Sequence, residues 1–174
     1  MKKRLAVIIS VVLSASMLFG CGSGSGATPA TQAAEAGGKD TQAAAAGGIT
    51  RVATMPNTKP VIDSAIVVDG LKYKIEHEAK VKVEIIGAIS KGQQGQELSA
   101  MGAMAKEGVV AFSDDGHYVE NSDFMRKAME YASMFHKIII DHCEDDNLIE
   151  GGNMHEGVVS NELGMKGRPA VAED

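Results

Sequence analysis

Val109-Val110-Ala111-Phe112-Ser113-Asp114-Asp115-Gly116 decides the fold. A short, nearly unbroken apolar run ends abruptly in two carboxylates and a glycine. Apolar runs without alternation fit strands buried on both faces, as in a parallel sheet covered by helices. The same layout recurs on either side. Thr50 to Met55 is β-rich and ends at Pro56-Asn57, Val81 to Ile89 ends at Ser90-Lys91, and Ile138 to Ile140 ends at Asp141-His142. Helical patterns fill the intervals. Asp63 or Ser64 can cap a helix with Ile66, Val67, Leu71 and Ile75 on one face. Gln96 to Glu107 predicts a second helix with Leu98, Met101 and Ala105 inward. Ser122 can cap a third, with Met125, Ala128, Met129, Ala132 and Phe135 at 3-4 spacing. Upstream, Ala43 to Ala46 followed by Gly47-Gly48 reads as a helix with a glycine stop.

Strand and helix thus alternate four times. The class is α/β, and the architecture a partial (β/α)8 TIM barrel of about four strand–helix units. A full barrel needs about 250 residues, and its active site lies at the C-terminal ends of the strands. Here Asn57, Ser90-Lys91, Asp114-Asp115 and His142 follow successive strands. Four strands leave two edges, so Thr50 to Met55 and Ile138 to Ile140 would each lack a neighbour, and the inner face would be open and apolar. Two half-barrels pairing as a homodimer would hide both.

The first 48 residues are of another kind. They carry Lys2, Lys3, Arg4 and Lys39 against Glu35 and Asp40, a net +2, which leaves −8 of the total −6 to the remainder. That acidic balance argues against a nucleic-acid partner. Lys2, Lys3 and Arg4 precede an apolar run from Leu5 to Phe19, too short for a comfortable membrane span. Leu18-Phe19-Gly20-Cys21 resembles the lipobox of bacterial lipoproteins, in which the cysteine becomes the first mature residue and carries lipid. A plain signal peptide or a buried core helix is the blander alternative. Residues 22–40 are Gly, Ser, Ala, Thr, Gln and Pro for the most part, with too few large apolar side chains to offset chain entropy, and read as a disordered tether. The organisation is therefore residues 1–21 leader, 22–40 linker and 41–174 folded domain. Cys21 and Cys143 are the only cysteines, so no disulfide framework exists.

Carboxylate and imidazole at successive strand ends are both normal zinc ligands, although the spacing alone is a weak signal. The wording is more specific. Gly47-Gly48-Ile49-Thr50, Met55-Pro56-Asn57-Thr58, Ala111-Phe112-Ser113-Asp114-Asp115-Gly116, His142-Cys143-Glu144-Asp145 and Asn161-Glu162-Leu163-Gly164 occur in order. Together they resemble the bacterial class I dihydroorotases of the amidohydrolase superfamily, from about residue 41 to 174. Related hydantoinases place a carboxylated lysine where this chain has an aspartate after the third strand, which favours the dihydroorotase likeness.

The resemblance implies a zinc-dependent cyclic amide hydrolase interconverting N-carbamoyl-aspartate and dihydroorotate in pyrimidine synthesis. It implies that Asp115 and His142 are metal ligands and that Asn57 contacts the substrate carboxylate. Asp114 and Asp115 are neighbours on an extended segment and point apart, so Asp114 reads as a supporting or capping partner. Lys91 is either a carboxylated ligand or a solvated loop lysine, and Cys143 either a thiolate ligand or a buried inert thiol. Glu144 and Asp145 either orient His142 or cap the next loop. His77, His117, His136 and His155 match no family ligand and read as surface residues, and the methionines as core packing.

Members of that family also carry a His-x-His-x-Arg motif at the first barrel strand, and a further histidine and a catalytic aspartate in the second half. In these 174 residues no histidine precedes His77 and no two are separated by one residue. The expectation is a dihydroorotase-like fragment with an incomplete site and no complete catalytic set, inactive alone. The alternative is a non-enzymatic, membrane-tethered lipoprotein module. Location divides in the same way: the leader anchors the chain at a membrane, whereas the resembled enzymes are cytoplasmic.

Overall fold

A computed structural model describes residues 38–173. The leader, Cys21 and most of the tether, residues 1–37, lie outside the described residues, as does Asp174. Helix α1 (Lys39–Ala46) begins two residues inside the segment predicted as tether, and Gly47 and Gly48 close it by donating to Ala43 and Ala45 carbonyls.

Four strands follow: β1 (Arg51–Thr54), β2 (Lys82–Ala88), β3 (Ala111–Ser113) and β4 (Ile138–Ile140). They form one parallel sheet in the order β1-β2-β3-β4, each beside its successor in the chain. Helices α2 (Ala65–Glu78), α3 (Met101–Lys106) and α4 (Ser122–Ser133) make the connections. Sequential parallel strands joined by helices are the repeating unit of a (β/α) barrel.

The core lies between the sheet and these helices. Ile85, Ile89 and Phe112 from the strand segments meet Val68, Met101, Met104, Ala128 and Ala132 from α2, α3 and α4. Gly87 allows close packing on that face: a Cβ there would sit 3.1 Å from Met104 Sδ and 3.2 Å from Phe112 Cδ1. The register sets Arg51, Lys82, Glu84 and Ile86 on the opposite face. That face is not uniformly apolar as predicted. Arg51 and Glu84 form an ion pair at 2.5 Å across it, while Ile138 on β4 is 64 % exposed. The central strand β3 is buried throughout and the outer strands only in part.

Three predicted elements are corrected. On α2 the inward residues are Val67, Val68, Leu71 and Ile75, and Ile66 is 80 % exposed. Position 68 precedes Leu71 and Ile75 by three and seven residues, the true helical stripe. The second helix starts at Met101 rather than Gln96, because the preceding chain doubles back. Ser90 bridges Leu98 antiparallel, Lys91 N donates to Glu97 O, and Ser99 Oγ donates to Ala88 O. Those pairings consume the groups a helix would use. Asn121, not Ser122, caps α4, with its side-chain oxygen accepting from Asp123 N and Phe124 N at 3.0 and 3.1 Å. The methionine reading holds for Met101 and Met104 and fails for Met129 and Met134, which are exposed.

Past β4 lie α5 (Asp146–Ile149), β5 (Met154–His155), α6 (Val158–Leu163) and β6 (Gly167–Arg168). β5 and β6 pair in parallel as a separate two-stranded sheet. Asp145 N donates to Ala172 O and ties this unit to the end of β4.

Candidate functional site

The segments leaving β1, β2 and β3 converge on Asp115. Asn57, after β1, donates from Nδ2 to Asp115 Oδ2 at 2.9 Å. Gln93, after β2, donates from Nε2 to the Asp115 carbonyl at 3.1 Å. Two of the residues singled out in the sequence, Asn57 and Asp115, are therefore brought together at the C-terminal end of the sheet. Gln93 was missed. Its backbone is left-handed at φ 57°, and the residue is only 6 % exposed. A non-glycine residue held in that region beside a cluster of polar groups marks a built loop. The only sequence cue is its place between Gly92 and Gly95.

Asp114 turns the other way, as the alternation of an extended chain requires. It is 2 % exposed. Its Oδ1 accepts from Ile89 N at 2.8 Å and Ser90 N at 3.1 Å, and its Oδ2 accepts from Ser90 Oγ. Ser90 Oγ in turn accepts from Gly95 N at 2.8 Å. Asp114 thereby locks the end of β3 to the end of β2. Burial raises its pKa above the ordinary 3.8, against the lowering effect of the hydrogen bonds from Ser90 and Ile89 and of the His117 charge.

His142 follows β4 and makes no hydrogen bond to the Asn57–Asp115 pair. Its Nε2 lies 3.2 Å from Glu144 Oε2. The two acids after it divide the roles left open above: Glu144 meets His142, while Asp145 Oδ1 accepts from Asn147 N at 2.8 Å and caps the start of α5. Lys91 is exposed and lies 3.5 Å from Glu97. Cys143 is exposed, not buried as predicted, because it alternates away from the half-buried neighbours on either side. Partial desolvation, then the Asp141 charge and an S–H···O contact of 3.6 Å, raise its pKa and hold it as a thiol. His77, His117, His136 and His155 are exposed.

Among the described residues no group of three or more His, Cys, Asp or Glu side chains is gathered as a metal site. Asp115 and His142 supply one donor each and are engaged by Asn57 and Glu144. Closed zinc sites use four ligands and catalytic ones about three from the protein. The residues present do not fit a zinc ion by themselves.

A parallel sheet of sequential strands, with carboxylate, amide and imidazole groups after its C-terminal ends, defines a (β/α)-barrel protein with a strand-end site. The fold matches that of the L-hydantoinase (dihydropyrimidinase) from Arthrobacter aurescens, with a TM-score of 0.53 at 20 % identity over 64 % of this chain and 25 % of that one. The sequence is 52 % identical over 134 residues to a dihydroorotase of Pelotomaculum thermopropionicum, covering 77 % of this chain and 31 % of that protein. It is 50 % identical over 146 residues to a dihydroorotase of Solibacter usitatus, covering 84 % and 34 %. The family model for dihydro-orotase-like proteins matches residues 25–174, and the chain belongs to that family. It spans about a third of the length of these relatives.

Proposed function

We propose that this chain carries some of the strand-end groups of a dihydroorotase-type site, acting on N-carbamoyl-aspartate or dihydroorotate. The contact of Asn57 with Asp115 supports the reading best, since it places a neutral donor beside a carboxylate at the sheet end where such sites form. In this reading Asn57 contacts the substrate carboxylate, while Asp115 and His142 serve as zinc ligands once further donors complete the set. In this reading the 174 residues carry no complete catalytic set of their own.

A graft tests this. Residues 41–174 replace the matching segment of the Pelotomaculum thermopropionicum dihydroorotase, and the rate of dihydroorotate hydrolysis is measured. A rate within about tenfold of the parent is expected, allowing about 1.4 kcal/mol for imperfect packing at the joins. A folded but inactive graft rejects the assignment.

The leader adds a second part to the proposal: lipid on Cys21 anchors the chain at a membrane. The charged start, the apolar run and Gly20 before Cys21 support it. Cells expressing the chain and fed a palmitate analogue should label it, and Cys21→Ser should not be labelled. Equal labelling of both would show that the lipid is elsewhere. The partly exposed β1 and β4 support a third part, a homodimer in which two half-barrels pair face to face. Sedimentation of residues 38–174 at micromolar concentration should give a species heavier than a monomer, and a compact monomer would exclude the pairing.

A further inference from the structure

We propose that Arg168 and Glu144 are positioning residues for His142, a chain of contacts that fixes the imidazole at the end of β4. The inference rests on the proposed function, in which His142 belongs to the working end of the sheet, and extends it to Arg168, far from that end in sequence. Arg168 Nη1 lies 2.5 Å from Glu144 Oε1, and the other oxygen of the same carboxylate, Oε2, lies 3.2 Å from His142 Nε2. One carboxylate therefore spans the guanidinium and the imidazole. A carboxylate so held sets both ring orientation and tautomer, placing the proton on the nitrogen it faces.

Arg168 is itself held. It lies on β6, and its Nε donates to Gly152 O at 2.6 Å while its carbonyl accepts from Glu156 N at 2.8 Å. Glycine at 152 makes room for this. A Cβ there would fall 2.7 Å from Arg168 Cγ and 2.6 Å from Gly167 O. Guanidinium geometry suits the task, because its planar fork reaches Gly152 O and Glu144 with different nitrogens at once. Side chains of Glu144 and Arg168 are 21 % and 43 % exposed, so the pair is partly shielded from solvent. A freely exposed ion pair would contribute little. The two-stranded sheet beyond β4 thus reaches back to hold a site residue.

Relaxation measurements on the full chain, carbon-labelled at histidine, read the claim directly. Five histidines give five ring signals, and His142→Gln assigns the one that matters. In the wild type the His142 ring should have an order parameter of about 0.85, as rigid as well-ordered backbone, and in Arg168→Met it should fall below about 0.6. The rings of His77, His117, His136 and His155 should be unchanged. Arg168→Lys should restore only part of the order, since an ammonium still pairs with Glu144 but cannot hold Gly152 O at the same time. Glu144→Gln, which keeps an oxygen for His142 but loses the charge for Arg168, should also loosen the ring, and it carries the test if Arg168→Met fails to fold. A ring equally rigid in wild type and Glu144→Gln overturns the proposal. So does a wild-type ring as mobile as the exposed ones. No turnover is involved, so this result and that of the graft stand or fall separately.

Discussion

Supplied with zinc and either dihydroorotate or N-carbamoyl-aspartate, the purified 174-residue chain will show no turnover above background, at least about 10⁴-fold below the graft. Two deficits combine. Loss of a general acid–base group alone costs about 10²–10⁴-fold. Two donors in place of the three or more that hold a catalytic zinc remove a second contribution of several kcal/mol. Among the described residues no group of three or more His, Cys, Asp or Glu side chains is gathered, so Asp115 and His142 have no further donors beside them. A coupled spectrophotometric assay with metal analysis of the same preparation decides it. Turnover by the lone chain that disappears in Asp115→Ala would show that its own residues complete a site.

Asp114→Ala will destabilise the folded domain by about 3–5 kcal/mol, the sum of leaving the Ile89 and Ser90 amides and the Ser90 hydroxyl without their acceptor. Domains of this size are stable by only about 5–15 kcal/mol, so much of the cooperative transition is lost. Asp114→Asn keeps an oxygen for both amides and removes the buried charge, and it should cost about 1 kcal/mol or less. The pH dependence has a definite sign. Burial raises the folded-state pKa of Asp114 above 3.8, so the folded state binds the proton more tightly. Its contribution is fully present below about pH 3.8 and declines as pH rises through the folded value. Asp114→Asn should therefore gain on the wild type as pH rises from about 3.5 towards neutral. Urea unfolding of both variants at several pH values measures this, and equal costs for alanine and asparagine would remove the capping role.

Much of the sheet was legible because buried parallel strands are nearly unbroken apolar runs. Ile138 to Ile140 has the same bounds in sequence and structure. The division between Asp114 and Asp115 was legible too, since neighbours on an extended chain face opposite ways. The second helix was misread at its start, because the pairing of Ser90 with Leu98 is a tertiary event that overrides a helical pattern. Gln93 was invisible for a related reason: its left-handed backbone is imposed by the loop around it, and no local propensity announces it. The partnership of Glu144 with Arg168 lies beyond any local pattern, as the two are 24 positions apart and Arg168 sits on a separate small sheet. Periodicity reports which way a residue faces, but not what it meets there.

In the proposed site Asp115, and not its neighbour Asp114, is the carboxylate that serves chemistry. The most direct measurement is kcat/KM for dihydroorotate hydrolysis by the graft carrying Asp115→Ala, beside the graft carrying Asp114→Asn, with melting temperatures for both. Asp115→Ala should lower it by about 10⁴-fold or more with melting little changed, and Asp114→Asn should stay within about tenfold of the unsubstituted graft. A graft that keeps its rate without the Asp115 carboxylate would contradict that role.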